Sequence, residues 1–219
     1  MKEYSLYIFD FDNTLFDTSI GLKIILDNAM QEVGLEYDHS RFPEFAGLSM
    51  EQMFDKFVVD ESKRDAFYGK FMEIVRSDAY MAAEPFPETE RVLRELKARG
   101  KHIAIASGKY RYKIVRLMEK YGMGDLPEAI VGYEDTDLHK PCPDPILLAM
   151  SYFDVPNGDA IYVGDGPHDP VAARYAGIDS AIVNRRNGLC PDGIPCTWEI
   201  ESLGGLLHRS CAFSLMRSS

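Results

Sequence analysis

Two aspartates, Asp10 and Asp12, stand one residue apart directly after the apolar run Tyr7-Ile8-Phe9. Carboxylates seldom end inside a protein unless something pairs with them. Polar residues follow other short apolar runs in the same way: Ser107 and Gly108 after "HIAIA", Asp165 after "IYVG", then Asp169 four residues later. Lys140 lies in "HKPCPDP", where Pro141 biases it toward extended backbone and its ammonium can join the same group. Carboxylates gathered at one place repel, and some protonate, unless a cation sits among them. Oxygen-only ligands favour a hard divalent ion, and few carboxylates plus substrate oxygens suit Mg²⁺ best. A metal, a lysine and a serine hydroxyl around an aspartate suit a phosphoryl group, which aspartate can accept covalently.

These residues converge only if the elements carrying them do. From about residue 85 onward, short apolar runs ("HIAIA", "AIVGY", "AIYV", "DSAIVN") alternate with amphipathic stretches ("RVLRELKARG", "YKIVRLMEKYG", "DPILLAMSYF", "DPVAARYAG"). That alternation predicts βαβ units and a parallel sheet covered on both faces, with the strand at residues 4–9 belonging to it. Ligands bind such sheets at the C-terminal strand ends, where these polar residues fall. Residues from about 18 to 82 differ: "IGLKIILDNAMQEVG" and "DESKRDAFYGKFMEIVRSDAYM" have helical periodicity, with no buried-strand pattern between them. The expected fold is α/β, a Rossmann-like parallel sheet core with a small inserted helical domain. The core takes residues 1–16 and 84–219, the insert 17–83.

At 219 residues, with 46% hydrophobic and 27% charged, the chain has an ordinary globular balance. Its net charge of −11 argues against nucleic acid as a partner but not against a small anionic substrate, since a metal or a few cations reverse the field locally. The four cysteines form no CxxC pair and no zinc-finger spacing, and Cys190 and Cys196 read as reduced thiols. No secretory h-region and no membrane-length apolar run is present, so a cytoplasmic setting without a membrane partner is expected.

Taken together the motifs resemble the haloacid dehalogenase (HAD) superfamily of hydrolases. "DFDNT" resembles its DxDxT motif, Ser107 its second, Lys140 its third, and "GDGPHD" its GDxxxD fourth, all in order. The insert sits where the family's helical C1-type cap lies, and the layout is most similar to the phosphoglycolate phosphatase group. The resemblance implies a Mg²⁺-dependent phosphatase working through an aspartyl-phosphate on a small phosphorylated metabolite, as a monomer or homodimer. By that implication Asp10 is the nucleophile and Asp12 the acid and base. Thr14, Ser107 and Gly108 meet the phosphoryl group, and Lys140 offsets charge. Asp10, the Asp12 backbone carbonyl and Asp165 hold the metal, with Asp169 a ligand or a partner just behind. In the insert, Gly47 of "FAGLSMEQ" is a candidate substrate contact, and Arg41 of the insert or Lys109 of the core could meet a second anionic group.

Alternatives share the chemistry. A β-phosphoglucomutase-type mutase would have Asp10 and Asp12, but tends to carry Gly-Val where this chain has Asn13-Thr14. A pyrophosphatase is a further option. A non-catalytic phosphate-binding protein is disfavoured because every expected catalytic position is filled. Local roles compete as well: Pro170 makes Asp169 a natural helix N-cap, and Asp17 or Thr18 would cap the first insert helix. Met53, Phe54, Phe57, Phe67, Phe71 and Met72 read as the insert's core.

Overall fold

A computed structural model describes residues 1–36, 38–45, 50–185 and 196–207. In chain order the strands are β1 (Leu6–Phe9), β2 (Phe16–Asp17), β3 (Glu84–Pro85), β4 (His102–Ala106), β5 (Ala129–Val131), β6 (Ala160–Gly164), β7 (Asp179–Val183) and β8 (Trp198–Ile200). The α-helices are α1 (Ser19–Glu32), α2 (Met50–Met53), α3 (Arg64–Arg76), α4 (Thr89–Ala98), α5 (Arg111–Lys120), α6 (Asp144–Met150) and α7 (His168–Ala176). Six strands form one sheet in the order β5-β4-β1-β6-β7-β8, and every neighbouring pair is parallel. Among the described residues this is the α/β, Rossmann-like core expected.

All four residues of β1 and all five of β6 are buried, without alternation, because helices cover both faces. The covering helices are one-sided: α4 buries Val92, Leu93 and Leu96 and leaves Glu90, Arg94 and Lys97 outside. Gly177, at φ 74°, ends α7 in the left-handed conformation that a side chain disfavours.

Register decides what the sheet presents. Phe9 stands opposite Ile105 on one side and Val163 on the other. Asp10, Ala106 and Gly164 are therefore the next residues in line, with Ser107 and Asp165 one step beyond. A one-residue slip would move a strand by about 3.3 Å and reverse its faces.

By contact density the chain divides into Met1–Phe16 with Pro85–Ser219, and Asp17–Glu84. The second unit is helical and has its own core of Leu26, Met30, Phe45, Met53, Phe54, Phe67 and Phe71, with Phe57 and Met72 partly buried against it. Of the two caps expected for its first helix, Asp17 supplies the side-chain bond and Thr18 does not. Thr18 occupies the cap position with no side-chain bond, while Asp17 Oδ1 accepts the Ser19 N–H at 2.9 Å.

Two further local expectations differ, and one strand was not expected. Helix α6 begins at Asp144, so Pro145 is its second residue, and the helix stops at Met150 rather than running through Phe153. Strand β8 was not legible, being three residues long with no apolar run. It is secured instead by Trp198, whose Nε1–H donates to Tyr4 Oη at 2.8 Å. Helix α7 begins at His168 with Pro167 in the cap position, which leaves Asp169 inside the first turn. No helix among the described residues is long and apolar enough to cross a membrane.

Candidate active site

Asp10 leaves the end of β1 with its N–H on Val163 O at 2.8 Å. The chain then turns tightly: Phe11 O accepts the N–H of Thr14, Leu15 and Phe16, and Asn13 takes φ 56°. A short polar asparagine tolerates that left-handed position better than most residues. The turn separates the two aspartates. Asp10 is 8% exposed and faces Lys140, whose Nζ lies 3.1 Å from Asp10 Oδ1. Asp12 instead holds Lys109 Nζ at 2.7 Å from its Oδ1.

Lys140 is the hub of the buried charges. Its Nζ donates to Asp169 Oδ1 at 2.7 Å and to Tyr162 Oη at 2.8 Å, and Tyr162 Oη in turn donates to Ala106 O at 2.7 Å. Burial alone would lower the lysine's pKa, but Asp10 and Asp169 outweigh it and hold the ammonium well above its usual value. Burial pushes the Tyr162 hydroxyl up, so it stays a neutral donor. Tyr162 escaped the sequence reading, because a tyrosine within the apolar run "AIYVG" carries no signal beyond its hydroxyl.

Asp169 is buried, and its carboxylate is fully engaged: Oδ1 takes Lys140, and Oδ2 accepts the Gly166 N–H at 2.8 Å. This replaces the N-cap reading, for the side chain reaches back to the loop and across to the lysine instead. Gly164 makes room for it, since an added Cβ would lie 2.1 Å from Asp169 Oδ2. Thr14, fully buried, donates its Oγ1–H to Asp165 Oδ1 at 3.4 Å. Ser107 is buried, and its Oγ accepts the Lys109 N–H at 3.4 Å.

The structure thus brings together Asp10, Asp12, Thr14, Ser107, Lys109, Lys140, Asp165 and Asp169. Gly108 is exposed, and a Cβ there would meet nothing within 4 Å, so packing does not require glycine. Arg41 belongs to the helical unit, where its Nε and Nη2 make a two-point pair with Glu44 at 2.7 and 3.1 Å. Gly47 and Cys190 lie outside the described residues.

Carboxylate oxygens of Asp10, Asp165 and Asp169 all lie within 4.8 Å of one another. Two lysines, Lys140 and Lys109, cannot neutralise these three together with Asp12. Burial first, and then the charges of Asp169 and Asp12, push the Asp10 carboxyl up to about 6 against the pull of Lys140. Asp10 Oδ1 contacts the lysine without hydrogen-bond alignment and has no hydrogen-bond partner. A buried, oxygen-only, electron-rich site of this kind fits a hard divalent cation.

The fit has a measurable consequence. A carboxyl whose folded pKa is raised makes its favourable contribution below the unfolded pKa near 3.8 and loses it as pH climbs through about 6. A divalent ion held there would bind the ionised form and compete with that proton. The rise in melting temperature caused by saturating Mg²⁺ is therefore expected to grow from pH 4.5 to about 6.5 and then level off. Thermal scans with Mg²⁺ and with EDTA check this; a shift independent of pH, or none, counts against the site.

Residues 7–183 match the family model of haloacid dehalogenase-like hydrolases. The chain belongs to that family. Pyrophosphatase PpaX of Oceanobacillus iheyensis is 30% identical to this hydrolase over 178 residues, 80% of this chain and 81% of the relative. The phosphoglycolate phosphatase of Aquifex aeolicus is 25% identical over 176 residues, 80% and 82% of the two chains. Among solved structures, a haloacid dehalogenase-like family hydrolase of Streptococcus pneumoniae superposes with a TM-score of 0.78 at 21% identity, covering 94% of this chain and 98% of its own. That likeness establishes the fold alone.

Proposed function

We propose that this hydrolase is a Mg²⁺-dependent phosphatase that cleaves a small phosphomonoester through an aspartyl-phosphate on Asp10. The observation that supports this reading best is the division of the two aspartates. One is buried against Lys140 among further carboxylates, the other is half-exposed against Lys109. Paired titratable groups in different environments are how one site assigns a nucleophile and a proton carrier.

In the first step an Asp10 carboxylate oxygen attacks phosphorus, and the bond from phosphorus to the leaving oxygen breaks. Asp12 delivers a proton to that oxygen, releasing an alcohol. In the second step Asp12 takes a proton from water, whose oxygen attacks the aspartyl-phosphate, freeing inorganic phosphate and restoring the Asp10 carboxylate. The Thr14 and Ser107 hydroxyls and the backbone at Gly108 would bind the phosphoryl oxygens. Lys140 keeps Asp10 ionised and offsets charge building on the transferred group. Asp10, Asp165 and the Asp12 backbone carbonyl would hold Mg²⁺, with Asp169 beside them. When bound, the ion supplies charge neutralisation of nucleophile and phosphoryl group together. Residues 17–83 are read as the cap, the part of the chain that excludes water and selects the leaving group. The setting is read as cytoplasmic.

A second reading keeps the chemistry and changes the leaving group from an alcohol to phosphate. The pyrophosphatase name carried by the 30% identical relative favours it. Phosphate release from a panel of phosphomonoesters and pyrophosphate, with Mg²⁺ and with EDTA, decides between the two. Release that requires Mg²⁺ is expected, and the preferred compound assigns the leaving group. No release from any compound would overturn both readings.

A further inference from the structure

The loop bearing Asp10, Asp12 and Thr14 is fastened from outside by an ion pair that no catalytic step uses. Within the turn, Asn13 N–H donates to Phe16 O at 2.7 Å and Phe11 O takes the following amides. The carbonyls of Thr14 and Leu15 are satisfied elsewhere. Leu15 O accepts the Phe86 N–H at 3.1 Å and the Thr89 hydroxyl at 2.7 Å. Thr14 O accepts from Arg185 Nη2 at 3.0 Å, while Arg185 Nη1 donates to Glu88 Oε1 at 2.7 Å. Glu88 Oε1 also accepts the Leu203 N–H at 3.3 Å, and the guanidinium carbon sits 3.6 Å from the centre of the Phe86 ring.

Both side chains are largely buried, with Arg185 11% and Glu88 17% exposed. Burial alone would raise the Glu88 carboxyl, yet backbone amides and Arg185 hold it below its usual value, so the pair is charged. A buried ion pair is weak support for stability, because apolar replacements often serve as well. What packing does not require is the second branch of the fork, aimed at a backbone carbonyl of the nucleophile loop. A planar guanidinium can take two acceptors at fixed angles while its face lies on an aromatic ring; an ammonium cannot.

We infer that Arg185, oriented by Glu88 and Phe86, is a positioning residue for phosphoryl transfer. It fixes the Thr14 carbonyl, and with it the Thr14 hydroxyl on Asp165 and the turn that separates Asp12 from Asp10. It touches neither substrate nor reacting atoms. The inference rests on the phosphatase reading, and it adds a residue whose action is exerted through the loop.

Arg185→Lys, Arg185→Met and Glu88→Gln in the full chain test it, with kinetics run on the best compound of the panel well below each variant's melting temperature. A displacement of about 1 Å costs roughly 10²-fold in rate, so Arg185→Lys and Arg185→Met are expected to lower kcat by about that factor, with KM little changed. Glu88→Gln, which leaves the arginine in place but weakens its anchor, should lie between them and the wild type. A lower melting temperature with wild-type kcat would make the pair merely structural and overturn the inference. If Arg185→Met does not fold, Arg185→Lys and Glu88→Gln decide by the same criterion. An inactive wild type identifies failure of the phosphatase reading itself, and the inference falls with it.

Discussion

Asp10→Asn is expected to reduce phosphate release by on the order of 10⁴-fold or more, as removal of a covalent nucleophile does. Asparagine keeps the shape of the side chain and its place at the end of β1, so the loss is chemical. The same change should not weaken the folded, metal-free protein. At neutral pH the Asp10 charge is opposed by burial and by Asp169 and Asp12, against the pull of Lys140. Removing the charge leaves Lys140 paired with Asp169 at 2.7 Å. The melting temperature without Mg²⁺ should therefore hold or rise, while the increase caused by Mg²⁺ shrinks. Steady-state phosphate release and thermal scans with and without Mg²⁺ make the comparison. A variant that keeps more than a few per cent of wild-type turnover would remove Asp10 from the nucleophile's role.

Lys140→Met is expected to damage activity and stability together. Losing one preorganised charge at the transferred group costs about 10²- to 10³-fold in kcat. Leaving buried carboxylates without their cation costs about 3–5 kcal/mol of folding free energy. The sign of the pH dependence follows from Asp10. Without the lysine its folded pKa rises further above the unfolded value, so the native state binds the extra proton more tightly. The variant should be least impaired in acid and lose stability relative to wild type as pH rises past 6. Urea unfolding at several pH values measures this. Pairing the change with Asp10→Asn removes both charges, and the double variant should recover part of the loss, with an interaction energy of about 0.5–3 kcal/mol. A strictly additive pair would mean that the 3.1 Å approach of Lys140 to Asp10 carries no coupling.

Much of this was written locally. Alternating apolar runs and amphipathic helices specify strands and helices through periods of two and 3.6, which operate over a few residues. The strands read at residues 4–9 and in "HIAIA", "AIVGY", "AIYV" and "DSAIVN" each have a counterpart in the sheet, with β5 ending before Gly132 and β7 before Asn184. The order of Asp10, Ser107, Lys140 and Asp165 along the chain, each after or between such runs, was enough to indicate one strand edge rich in carboxylate oxygens. The stripe of Met53, Phe54, Phe67 and Phe71 announced the insert's own core.

Partner choice was not local. Residues 10, 107 and 165 become neighbours because β4 and β6 flank β1 in matched register, and that depends on which large apolar surfaces bury each other. The same holds for the attachments of individual side chains. Asp169 could be read either as a helix cap or as a residue at the metal site; its side chain turns toward Lys140 and Gly166, where Gly164 leaves space that any Cβ would fill. Lys109 pairs with Asp12, Tyr162 supports Lys140, and Arg185 holds the Thr14 carbonyl. Nothing in a run of residues encodes an ion pair between positions 97 apart. The sequence alone determined the kinds and order of the elements other than short strands such as β8, and the chemical character of the site. Tertiary packing alone decided which charge meets which, because burial sets the cost of every unpaired carboxylate and only the folded chain can supply its partner.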